Sequence, residues 1–401
     1  MLKSDRWLLP EGVREILSPE ARAIEMSRRK ILDMYHGCGY DLVQPPFIDF
    51  YDSLLTGMGH DLELMTFTLT DQLSGKLLGI RSDMTPQVSR IDAHHIKDDH
   101  PSRLCYLGEV LQSRLDGFSK SRCPLQTGAE IYGHDGIESD LEIIQLMIKT
   151  IRAVGVESLT LDLGHVGIFR SLSEIAGLSD FDREQLFEAF QRKAITEIKA
   201  YLEQLNLSES LQNAFVNLVN LHGAKDILKT AREQLNYPEI INHIDVLDQL
   251  ARKLEQYLPD VDLFFDLSEL RGFNYHTGIV FSAYIAGHGK AIAQGGRYDG
   301  IGEKFGRARS ATGFSTDLAH LVELTGIHQN LTNDEESKGI FAPAIEDNVE
   351  SETSLREEII KLRTNGERVI CELKGQAIDY EKLNCNRRLV YKNNKWLVET
   401  V

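Results

Sequence analysis

Arg271-Gly272-Phe273-Asn274-Tyr275-His276-Thr277-Gly278 and, one strand-like stretch later, Gln294-Gly295-Gly296-Arg297-Tyr298-Asp299-Gly300 carry the densest chemistry in the chain. The first segment packs a guanidinium, two polar aromatic rings and two glycines into one short run. A guanidinium fork can hold a carboxylate bidentately. A tight turn with a surface arginine is the plainer alternative, but side chains of this kind are uncommon in turns, which favours a binding site. In the second segment the paired glycines allow the backbone to approach a ligand or another strand closely. The Lys and Ser or Thr of a phosphate-binding P-loop are missing from it.

Working outward, two upstream clusters have matching chemistry. Arg81-Ser82-Asp83-Met84-Thr85-Pro86-Gln87 marks a strand giving way to a helix. Asp83 or Thr85 can serve there as a helix cap, or either can face a ligand at the end of a sheet. In Gln126-Thr127-Gly128-Ala129-Glu130, strand alternation puts Gln126, Gly128 and Glu130 on one face. Gly128 then leaves space for a ligand, and a carboxylate beside an amide suits an ammonium or an imidazole. A solvent-facing edge is the alternative. The thirteen histidines form no metal-ligand spacing, and the adjacent pair His94-His95 points to different helix faces, so no metal site and no cofactor are expected.

Helical and strand periods alternate around these clusters. A helix is expected from Ser18, as cap, through Ile31 and Tyr35 to Gly37 or Gly39. Met65–Asp71 and Leu77–Arg81 read as a hairpin, and Leu104–Leu111, Ala129–Tyr132 and Leu159–Leu163 as further strands. Leu141, Ile144, Ile148 and Ile151 fall on one helix face. From about Ser171 to Leu258 long helical periods dominate, as in Phe181–Leu205 and Ile244–Leu258. Strand text returns at Val261–Leu267 and Gly278–Tyr284, followed by a helix at Thr316–Leu324. Beyond a polar stretch, Gly339–Ala342, a helix at about Glu350–Thr364, Arg368–Leu373 and a hairpin around Asn393-Asn394 form a small α/β pattern. The fold class expected is α+β: an antiparallel sheet flanked by helices, interrupted by a helical insertion.

Composition narrows the function. The 401 residues carry a formal charge of -17, which disfavours a nucleic-acid partner unless a local basic patch overrides it. Five widely spaced cysteines without Cys-x-x-Cys fit a reducing cytoplasm. The charged first residues are not expected to form a leader, and no run is long enough for a membrane span.

Together the clusters resemble class II aminoacyl-tRNA synthetases of the histidyl type. Arg271–His276 is similar to that family's Arg-Gly-Leu-Asp-Tyr-Tyr motif, and Gly295–Gly300 to its Gly-Gly-Arg-Tyr-Asp-Gly motif. Asp83 and Thr85 resemble its Glu-x-Thr pair, and Gly39–Pro45 its dimer motif. The resemblance implies a histidine pocket in which Glu130 and Tyr275, with His276 near them, face the imidazole. Asp83, Thr85 and Gln126 would face the α-amino group, and Arg271 the carboxylate.

Two departures stand out. Where the class has Phe-Arg-x-Glu, with its arginine on the ATP α-phosphate, this chain has Leu111-Gln112-Ser113-Arg114. Where it ends Gly-Leu-Glu-Arg-Leu, this chain has Asp317-Leu318-Ala319-His320-Leu321. Keeping the histidine set while losing both arginines is the profile of the synthetase-like regulatory subunits of ATP phosphoribosyltransferase, which resemble this chain also in having His after Tyr275. That resemblance implies no catalytic residues, no cofactor, a short-form catalytic subunit as partner, histidine as ligand, and a homodimer within a hetero-octamer. It divides the chain into a synthetase-like core at 1–170, a helical insertion at 171–258, the rest of the core at 259–327, and a linker with a small C-terminal domain at 328–401. The alternatives are a histidyl-tRNA synthetase and a free-standing amino-acid-modifying enzyme of the same fold.

Overall fold

The computed structural model describes residues 7–56, 60–96, 99–115, 121–270, 272–273, 275–327, 329, 338–344 and 349–401. Two compact units result, Met1–Thr325 and Gly326–Val401.

The first unit contains β1 (Asp41–Leu42), β2 (Ile48–Phe50), β3 (Phe67–Thr70), β4 (Leu77–Ile80), β5 (Ser102–Glu109) and β6 (Leu125–Tyr132). These are followed by β7 (Thr160–His165), β8 (His222–Gly223), β9 (Asp262–Asp266), β10 (Ile279–Tyr284), β11 (Ala293–Arg297) and β12 (Ala311–Asp317). Nine of them form one sheet in the order β1-β5-β6-β12-β11-β10-β7-β9-β8, and β2-β4-β3 form a separate small sheet. From β5 to β7 the large sheet is antiparallel, with parallel pairs β1/β5 and β7/β9 outside that stretch. The expected α+β sheet with flanking helices is therefore present.

The two faces of β6 have different tasks. Thr127 points to the back, where its hydroxyl meets that of Tyr35 from the helix Glu20–Gly37. The helix Ile137–Ala153 covers the same strands, and its Ile143, Ile144, Met147, Ile148 and Ile151 are all fully buried. Each such side chain contributes about 1.5–3 kcal/mol. The other face, with Gln126, Gly128 and Glu130, is left for polar chemistry.

Five helices follow in the insertion: Asp180–Gln191, Ile195–Gln204, Glu209–Asn220, Ile227–Gln234 and Pro238–Tyr257. Ser179 and Ser208 cap two of them by accepting the backbone N–H of Asp182 and Leu211. Phe169, Phe190 and Phe215 meet edge to face in its core.

Several expectations need correction. The period over Phe181–Leu205 is two helices, broken where Lys193 takes a left-handed φ of 48°. Helix Glu20–Gly37 starts from Pro19 without a side-chain cap, so Ser18 does not cap it. The glycine-rich segment from Gln294, open in the sequence to approach by a ligand or by another strand, is part of strand β11. A Cβ on Gly295 would lie 2.1 Å from the Gly313 carbonyl oxygen and 2.6 Å from the Phe281 ring, so the missing side chain admits the neighbouring strands.

The second unit has β13 (Gly339–Ala342), β14 (Val369–Cys371), β15 (Cys385–Lys392) and β16 (Lys395–Thr400), in the order β14-β13-β15-β16. The helix Val349–Thr364 packs on it, with Ile340, Leu355, Ile359, Val369 and Leu389 in a small core. The expected hairpin is present: Asn393 and Asn394 have φ of 50° and 59°, as a type I′ turn requires.

Candidate ligand-binding site

A cleft of about 630 Å³, its open mouth included, lies on the front of the sheet between β6, β10, β11 and β12. Its lining includes Asp83, Thr85, Glu130, Glu269, Tyr275, His276 and Tyr298. Residues distant in sequence are thus brought together here, as expected for Asp83, Thr85, Glu130, Tyr275 and His276.

Glu130 is the centre of the arrangement. It is 1% exposed, and it accepts hydrogen bonds from the hydroxyls of Tyr106 (3.0 Å), Thr85 (3.3 Å) and Tyr298. Burial pushes its carboxyl up to about 8, against the opposing pull of the Tyr298 and Tyr106 hydroxyls. It is therefore a proton-holding acid near neutral pH, able to donate to a basic nitrogen or to ionise beside a cation. Gly313 makes room for it, since a Cβ there would fall 1.4 Å from Glu130 Oε2.

Asp83 sits just before the helix Thr85–Ile91. Its Oδ1 accepts the backbone N–H of Thr85 and an amide N–H of Gln126, both at 2.9 Å. The carbonyl oxygen of that Gln126 amide accepts the backbone N–H of Met84, also at 2.9 Å. Gln126 therefore orients Asp83, and it lines an adjoining compartment instead of the Glu130 cleft. Gly128 also differs from expectation. The position of its absent Cβ is 2.3 Å from the Phe314 carbonyl oxygen and 2.5 Å from the Tyr106 hydroxyl, so a tyrosine and a neighbouring strand take up the space.

His276 is 7% exposed, with Nδ1 3.2 Å from the Arg297 carbonyl oxygen and the Tyr275 ring 4.2 Å away. Burial brings it down to about 4, so the ring is neutral at pH 7. Arg297 itself is structural: it pairs with buried Asp140 at 2.8 Å and donates to the carbonyls of His134 and Gly136. Arg271 and Asn274 lie outside the described residues. Tyr106, Tyr298 and Gly313 were not anticipated as part of the site. Tyr106 lies directly across from Gly128 in the β5/β6 register, and that pairing of a tyrosine with a glycine was the available signal.

The adjoining compartment is lined by Gln112, Gln126, Lys290, Asp317 and His320, with no arginine among the described residues. Burial lowers His320, whose Nε2 is 3.4 Å from that of His288. Arg114 is exposed and is not part of the lining. Among the described residues, the one cluster of carboxylates close enough to share a cation is Asp162, Asp266 and Glu269. Lys193 already pairs with Asp266 there. No described helix is long and apolar enough to cross a membrane.

Known proteins match along the whole chain. Residues 12–321 match the histidyl-tRNA synthetase family, and residues 337–399 match the ATP phosphoribosyltransferase subunit HisZ C-terminal domain. A protein of Thioalkalivibrio sulfidiphilus described as an ATP phosphoribosyltransferase regulatory subunit is 50% identical over 401 residues, covering 99% of each chain. One of the same description from Nitrosococcus oceani is 47% identical, covering 98% of this chain and 97% of its own. The crystal structure of an ATP phosphoribosyltransferase regulatory subunit/histidyl-tRNA synthetase from Bacillus halodurans superposes with a TM-score of 0.83 at 26% identity, over 97% of this chain and 99% of that one. Histidyl-tRNA synthetase from Nostoc shares the fold, with a TM-score of 0.77 at 17% identity over 96% and 91% of the two chains. The chain belongs to the family of ATP phosphoribosyltransferase regulatory subunits, whose core has the histidyl-tRNA synthetase fold.

Proposed function

We propose that this chain is a non-catalytic regulatory subunit. It binds the short catalytic subunit of ATP phosphoribosyltransferase in the cytoplasm, activates it, and conveys feedback inhibition by histidine in the first step of histidine biosynthesis. It does so as a homodimer within a hetero-octamer.

The observation that carries this reading is the contrast between two neighbouring compartments. The Glu130 cleft gathers groups suited to the imidazole and ammonium of a basic amino acid, and the carboxylate is assigned to Arg271. Glu130 with its hydroxyl partners, and Tyr275 beside His276, face an imidazole; Asp83 and Thr85 face an ammonium, with Gln126 holding Asp83 in place; Arg271 takes the carboxylate. The adjoining compartment presents Gln112 and a neutral His320 in place of the two class arginines, and the one cation among its described lining residues is Lys290, a single flexible ammonium that does not replace two planar guanidinium forks. Charge developing on a triphosphate requires fixed cationic donors, and an amide and a neutral imidazole are poor substitutes.

The test is histidine-dependent exchange of pyrophosphate into ATP by the purified chain, alongside histidine binding by calorimetry. Binding without exchange is expected. Exchange well above background would support the synthetase alternative.

A further inference from the structure

The loop carrying Phe273, Tyr275 and His276 has two sides. Tyr275 and His276 line the Glu130 cleft. Phe273 points the other way and is 7% exposed. Its ring stacks on Phe187 of the insertion helix Asp180–Gln191 at 5.3 Å and meets Phe169 edge to face at 5.4 Å. The Arg170 guanidinium lies over the same ring, 5.2 Å from its centroid. Arg170 also donates to two carbonyls of this loop, that of His276 at 3.0 Å and that of Phe273 at 3.4 Å.

Arg170 forms no ion pair among the described residues, and its position in the helix Val166–Ile175 is partly buried. A half-buried guanidinium that donates to two neutral carbonyls, with the charge of Glu174 a turn along the helix but no direct ion pair among the described residues, is a costly way to hold a surface turn. It suits a loop whose backbone must be fixed. On its other side the loop is tied to the end of β11, where the Arg297 carbonyl accepts the Thr277 N–H at 2.8 Å and lies 3.2 Å from His276 Nδ1, and its remaining bonds are local, such as the His276 N–H to the Gly272 carbonyl. The pocket side chains inherit their placement from those same two carbonyl-bearing residues.

We infer that the helical insertion sets the geometry of the ligand loop, with Arg170 and Phe187 as positioning residues that hold Phe273 and His276 from behind the pocket. This deepens the histidine-binding reading and rests on it for the identity of the ligand. Coupling between two sites is reciprocal. Ligand in the cleft therefore tightens the helix Asp180–Gln191, and loosening that helix weakens the ligand.

The experiment is hydrogen exchange by mass spectrometry on the full chain, with and without L-histidine, together with calorimetry. The proteins are wild type, Arg170→Met, Arg170→Lys and Phe187→Ala. Without ligand, Arg170→Met and Phe187→Ala should speed exchange over residues 275–281 while β6 stays as protected as in wild type. Arg170→Met should weaken histidine about tenfold, the scale of a lost charged hydrogen bond. Arg170→Lys, which restores a donor, should recover most of that affinity, whereas a merely space-filling role would be met equally by Met. Histidine should slow exchange over residues 180–191 of wild type. Unchanged loop exchange in both ligand-free loosening variants overturns the inference. Loosened exchange without the affinity loss overturns it too. If wild type binds no histidine, the proposed ligand fails while the ligand-free comparison still decides whether the insertion holds the loop.

Discussion

Glu130 combines near-complete burial with three hydroxyl partners, and it is the residue on which the site's pH response depends. Its carboxyl titrates near 8 in the folded chain against an ordinary value of 4.5. The folded state therefore holds this proton where the unfolded chain releases it. Glu130's contribution to stability is complete below about 4.5 and is lost progressively as pH rises to about 8. Glu130→Gln cannot ionise, so thermal or denaturant unfolding should show the variant gaining on wild type across that window. The gain should reach on the order of 2–4 kcal/mol at pH 9. A wild-type advantage that grows with pH would contradict the assigned state. Asp83, Thr85 and Glu130 were legible in the sequence because a helix start and a two-residue strand period fix where such side chains point. Tyr106 was not, since a lone tyrosine in an apolar strand reads as core until the Gly128 opposite it is known. Gln126 was placed on the correct face; that its amide holds Asp83 could not be read from the sequence, because an amide can serve a ligand or a neighbouring carboxylate equally well.

At the level of elements, the glycines of β11 and β12 are what the sequence concealed. β-propensity rewards large side chains, so Gln294-Gly295-Gly296-Arg297 resembles a loop even though it runs mid-sheet. Gly313 of β12 bounds the carboxylate, and Gly313→Ala should push Glu130 from its three hydroxyls. Calorimetry should show histidine affinity falling roughly tenfold or more while the circular dichroism spectrum is kept. Unchanged affinity would move the ligand away from Glu130. The small sheet offers a second test. Ile48, Phe50 and Leu69 share one of its faces and are 48%, 47% and 37% exposed. An apolar sheet face of this kind calls for a partner. Phe50→Glu should convert a homodimer to monomer in sedimentation at micromolar concentration. A wild-type monomer would contradict the dimer.

For the whole molecule, the charge of -17 and the division into a large synthetase-like unit and a small C-terminal sheet domain fit a protein that contacts other proteins more readily than tRNA. A partner can change an enzyme's rate only by favouring one of its states over another. The central claim is that this chain does so for the short phosphoribosyltransferase subunit. The most direct measurement is the rate at which that subunit joins ATP to phosphoribosyl pyrophosphate, alone and with a stoichiometric amount of this chain, each with and without histidine. The account predicts faster turnover on mixing and inhibition by histidine that depends on this chain. Turnover and histidine response that both stay unchanged on mixing would contradict it.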